Sequence, residues 1–152
     1  MLDIYQFDLK PLKRYFNIFA TSAISISLVI CLATYLLPVI PSLMAFYSKY
    51  LWYFFAAFVI FNFAFEGMNK KESSKLADSE DFQEKVIIYN GVYKRKLALN
   101  LVSVIISGFF LFLSHKTLFL IILTIQLVLL PIFYPRPEKI TKALKNDEIL
   151  FT

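Results

Sequence analysis

Charge is missing from long parts of this sequence. No Asp, Glu, Lys or Arg occurs from Tyr15 to Ser48, from Tyr50 to Phe65, from Leu97 to His115 or from Thr117 to Pro135. Each run meets, or nearly meets, the roughly 20 residues that a helix needs to cross the hydrocarbon core of a bilayer. A water-soluble fold of 152 residues could not enclose four such runs.

Other scarcities exclude chemistry. Cys31 is the one cysteine, so the chain makes no internal disulfide and no thiolate cluster. It reads as a small apolar side chain. His115 is the one histidine and sits beside Lys116 in a turn, away from carboxylates and cysteine. Neither a metal site nor a Ser/His/Asp or Cys/His nucleophile set can be built around it. The three glycines, Gly67, Gly91 and Gly108, lie far apart and form no phosphate-cradling loop. The chain is therefore expected to be non-enzymatic, with no catalytic, cofactor-binding or metal-binding residues and no cofactor.

What is present is apolar. The composition is 59% hydrophobic and 18% charged, where a soluble domain is roughly 45–50% apolar. Mean hydropathy is +0.64. The net charge of +5 could signal a nucleic-acid partner. The positions of the charges have a better explanation, and the expected solvent is a lipid bilayer.

The expected fold is an all-α membrane protein with four transmembrane helices arranged as two hairpins. The helices fall at about 16–37, 48–67, 96–114 and 117–134. Together with a loop at 69–95 and a tail at 135–152 they make one domain. The apolar run after Lys13-Arg14 is too long for a cleaved signal peptide and reads as a retained anchor. Pro38 and Pro41 turn the chain between helices 1 and 2. Tyr47, Tyr50, Trp52 and Tyr53 read as an interfacial aromatic belt. Ser114–Thr117 leaves room only for a tight antiparallel turn.

Basic residues set the expected orientation. Lys10, Lys13 and Arg14 precede helix 1. Lys70, Lys71, Lys75, Lys85, Lys94, Arg95 and Lys96 lie between helices 2 and 3. Arg136, Lys139, Lys142 and Lys145 follow helix 4, and only Lys49 and Lys116 fall on the other side. The positive-inside rule puts both termini in the cytoplasm, in a bacterial inner membrane. Two short amphipathic cytoplasmic helices are expected. One runs over 80–89, with Phe82, Val86, Tyr89 and Tyr93 on one face and a bend at Asn90-Gly91. The other is a surface helix over 137–146, opened by Pro137 and carrying a Glu138–Lys142 pair. Lys13-Arg14 and Ser22 recur as Lys94-Arg95 and Ser103, which would fit a duplicated hairpin.

Polar and small residues in the spans are the candidate sites. Ala20, Ala23, Ser27, Cys31 and Thr34 form a stripe on helix 1. Asn100, Ser103, Ser107 and Ser114 share a face of helix 3. Lipid gives helices no hydrophobic drive to associate, so small residues and interhelical polar bonds must hold them together. The stripe reads as a packing face, with a substrate groove as the sharper alternative. Asn62 and Gln126 need polar partners in hydrocarbon. Glu66, four residues before Lys70, reads as a boundary ion pair. Turned into the bundle, it would be the candidate for a proton-linked role.

The segment from Asp81 to Leu144 resembles a group of small uncharacterised bacterial four-helix integral membrane proteins. The resemblance rests on Glu84-Lys85-Val86, Tyr89, a basic step into helix 3, the short turn, Arg136-Pro137-Glu138-Lys139-Ile140 and Leu144. Asn100-Leu101-Val102 departs from the acidic, glycine-bearing start that the group has. The resemblance implies architecture alone. The expected function is a packing or accessory subunit that associates with itself or with a larger membrane partner. A small transporter or channel subunit and an immunity-type protein against a pore-forming toxin are the alternatives. Arg14, Arg95 and Arg136, the only arginines, are explained by topology rather than by a substrate.

Overall fold

The computed structural model describes residues 5–38, 41–79, 81–145 and 149–152, without the side chains of 41–48, 54, 77 and 78. In order these form β1 (Tyr5–Phe7), α1 (Lys10–Leu36), α2 (Pro41–Asp78), α3 (Phe82–Ser114), α4 (Thr117–Val128), a 3₁₀ turn (Leu130–Phe133), α5 (Pro137–Leu144) and β2 (Ile149–Phe151). α1, Lys49–Leu76 within α2, and α3 are each long and apolar enough to cross a membrane. Thr117–Phe133 is a fourth candidate only when taken with α5, from which it is bent by 75°. At 1.5 Å per α-helical and 2.0 Å per 3₁₀ residue, Thr117–Phe133 spans ~26 Å, slightly short of the hydrocarbon core.

The helices outrun the boundaries drawn from charge. α1 begins at Lys10 rather than near Phe16, because Pro11 suits a first helical turn and the Asp8 carboxylate accepts a hydrogen bond from the Lys10 amide at 2.9 Å. It stops before Pro38, with Leu37 extended at ψ 135°, as the residue preceding a proline prefers to be. α2 runs for 38 residues, ~57 Å in length.

The expected loop at 69–95 is not a loop. α2 continues through it to Asp78, and α3 starts at Phe82. Asp81 caps α3 through its carboxylate, which accepts from the Gln83 amide at 3.0 Å. Ser79 donates to the Glu84 carboxylate at 2.6 Å. The expected separate amphipathic helix is thus the first part of α3, and no bend occurs at Asn90-Gly91. Lys, Glu and Gln are good helix formers, so a change from apolar to charged sequence gives a helix no reason to end.

α3 is the central element. α1, α2 and α4 all pack on it, the α1 contact being the most extensive, while among the described residues α1 and α2 share no substantial contact. α3 and α4 form an antiparallel hairpin. Its turn closes at His115, left-handed at φ 50°, whose amide donates to the Leu111 carbonyl at 2.8 Å.

Two apolar clusters hold the chain. One contains Leu51, Val104, Phe110, Leu111, Phe119 and Leu123, beside the α3–α4 turn. The other gathers Phe7, Leu9, Leu12, Phe16, Leu76, Phe82, Leu97, Ile140, Leu144 and Ile149 at the end carrying both termini. There β1 and β2 pair in parallel, Phe7 opposite Phe151. The Leu9 amide donates to Thr152 O at 3.1 Å, and the Thr152 amide to Phe7 O at 3.2 Å. This clasp is the exception to the all-α expectation. Phe7 meets Tyr89 edge-on, and Tyr5 stacks on Phe82 with ring centroids 4.4 Å apart. α5 ends at Leu144, with Asn146 outside the described residues, and buries Ile140 and Leu144 completely. It is the expected amphipathic surface helix, exposed on its outer side and docked on this core through those two residues.

Candidate functional site

Polar residues on α2 and α3 face one another along a seam. On α2, Asn62, Glu66 and Asn69 recur at spacings of four and three, and on α3, Lys96, Asn100, Ser103 and Ser107 do the same. That spacing keeps each set on one helical face. Ser103 Oγ donates to Asn62 Oδ1 at 3.3 Å, and Asn62 Nδ2 donates to the Phe58 carbonyl at 2.8 Å. Gln126 on α4 joins from the third side, its Nε2 donating to Ser107 Oγ at 3.3 Å. Outside the seam, Arg95 and Glu72 form a 2.6 Å ion pair between α3 and α2. It is half exposed and contributes little to stability.

The seam is only partly closed. A hollow of about 300 Å³ opens between the helices, edged by Asn62, Glu66, Asn69, Lys96, Asn100 and Ser103 and floored by Leu99 and Phe133. A second hollow, about 350 Å³, shares Asn62, Glu66 and Ser103 and extends along α2 past Phe63, Val59, Phe58 and Phe55. Asn69 is 3% exposed, yet its Oδ1 has no hydrogen-bond partner, and neither have Asn100 Oδ1 and Gln126 Oε1. Leaving such acceptors buried and unmatched costs about 1–3 kcal/mol each.

Glu66 is exposed and forms no ion pair with Lys70; among the described residues the one ion pair is Arg95–Glu72, so Glu138–Lys142 is not made either. Ser114 does not join the seam. Its hydroxyl donates to the Phe110 carbonyl at 2.6 Å.

The helix 1 stripe is elsewhere. Ala23 and Ser27 are buried, whereas Ala20, Cys31 and Thr34 are half-buried. Ser27 Oγ donates to the Ala23 carbonyl at 2.7 Å and Thr34 Oγ1 to Ile30 O at 2.8 Å, so both hydroxyls are spent on their own helix. Cys31 is a free thiol packed against the cluster beside the α3–α4 turn. Gly108 on α3 faces Ile30 so closely that a Cβ there would overlap the isoleucine side chain. No group of three or more His, Cys, Asp or Glu side chains that could hold a metal ion occurs among the described residues.

Asn69 and Lys96 escaped the sequence reading because both fell at an assumed boundary. The four-three spacing from Asn62 through Glu66 to Asn69 was the available signal. Compared with protein families, with curated proteins and with solved structures, the chain shows no match.

Proposed function

We propose that this chain is a non-enzymatic accessory subunit of the bacterial inner membrane. It crosses the bilayer four times with both termini cytoplasmic, and it packs against a second copy or a larger membrane protein through the outer face of α2. The observation that carries this reading is how little of α2 the chain itself covers. Of the residues in its apolar stretch 6% are buried, against 44% in α3. Its uncovered face presents Ala57, Ala64 and Gly67, with Ile60 between them, and an added Cβ at Gly67 meets nothing within 4 Å. Small residues on one face let another helix approach closely, which is how helices associate in lipid.

The seam argues for this role over transport. A conducting path would have to continue past Ser107, where Leu51, Phe110, Phe119 and Leu123 close the far end of the bundle. Charge placement supports the orientation, with fourteen basic residues towards the end carrying the termini.

Crosslinking tests the reading. With Cys31 replaced by serine, Ala64→Cys in native membranes should give a disulfide-linked dimer or an adduct with a second membrane protein. Ile18→Cys, on the exposed side of α1, should give neither. Equal crosslinking at both positions, or none at Ala64→Cys, overturns it.

A further inference from the structure

We propose that the cleft between α2 and α3 binds one phospholipid whose head group carries a primary ammonium. The inference rests on the bilayer placement above but not on the self-packing of α2. The two hollows adjoin, sharing Asn62, Glu66 and Ser103 in their linings. Together they have the shape of a head-group site with an acyl trough. The polar hollow lies nearer the end carrying the termini, where a bilayer surface would be. The apolar one runs from it towards Phe55, deeper along α2. A phospholipid in that leaflet presents its parts in the same order.

The chemistry of the lining selects the head group. Asn69 and Asn100 line the polar hollow, each with a buried amide oxygen that has no donor, and among the described residues the Glu66 carboxylate on the same hollow forms no ion pair. A primary ammonium supplies three N–H donors and a positive charge. A quaternary ammonium supplies the charge alone. Lys96, exposed at the rim, supplies the counter-charge for a phosphate. Acid and base on the same hollow therefore match a zwitterionic aminophospholipid rather than an anionic lipid.

The test uses the intact protein, delipidated in mild detergent and titrated with single phospholipid species by native mass spectrometry. Phosphatidylethanolamine should bind at one site about tenfold more tightly than phosphatidylcholine of the same chains, the worth of a charge-assisted hydrogen bond. Glu66→Gln, at an exposed position that leaves the fold intact, should erase most of that preference. Lys96→Gln should weaken both lipids alike and keep their ratio. Free phosphoethanolamine at the same concentration should not compete. Equal affinity for the two lipids, an unchanged ratio in Glu66→Gln, or competition by the free head group overturns the proposal. A protein that stays monodisperse in buffer without detergent would instead remove the membrane reading on which it rests.

Discussion

Two glycines of α3 sit in the same helix and answer to different forces. At Gly108, Ile30 of α1 occupies the space a side chain would need, so the residue sets how near α1 and α3 can come. Gly108→Leu should lower stability by about 1–3 kcal/mol through overpacking. Adding Ile30→Ala should recover part of the loss, read from denaturant unfolding in detergent micelles. At Gly91 an added Cβ meets nothing within 4 Å and the backbone is helical. Gly91→Ala should therefore raise stability by about 0.5–1 kcal/mol, the ordinary helix-propensity difference. A destabilised Gly91→Ala would restore the bend that Asn90-Gly91 suggested in the sequence.

At the scale of elements, the apolar lengths of the helices were legible because charge is excluded from hydrocarbon and its absence marks a span. Their ends were not. Lys70, Lys71, Glu72, Lys85 and Lys94 look like a solvated loop when charge is the criterion, but nothing in them breaks a helix. Only Ser79–Asp81 separates α2 from α3. Trypsin should accordingly leave Lys70, Lys71 and Lys85 uncut under conditions that cleave the denatured chain completely, as peptide mapping would record. Rapid cutting at all three would mean that the segment is unstructured. The polar residues of the seam were legible in part. Asn62, Asn100, Ser103, Ser107 and Gln126 stand out in apolar surroundings, whereas Asn69 and Lys96 do not once a boundary is drawn beside them. The strands were beyond reach, since three residues carry too short an alternation to register.

At the scale of the whole molecule, the chain has two ends of different construction. One is an α3–α4 turn over a small apolar cluster. The other is a folded cap that joins both termini, α5 and the polar extensions of α2 and α3 around Phe7, Leu12, Phe82, Ile140 and Leu144. Leu144 is fully buried, and Leu144→Ala should cost about 2–5 kcal/mol. Tryptophan emission from Trp52, in the other half of α2, should follow the cap's unfolding only if the two ends melt as one unit. A separate early transition by circular dichroism would show that they do not.

The pairing of β1 with β2 also sets an order of events. Phe7 and Leu9 emerge from the ribosome ahead of α1, yet the strand that covers them, Ile149–Phe151, is synthesised after α5. That segment must therefore wait uncovered while the helices form, until Ile149–Phe151 closes it. Translation that halts after α4 would leave the helices with an open cap, a form that a quality-control protease could tell from the folded chain by its exposed Phe7.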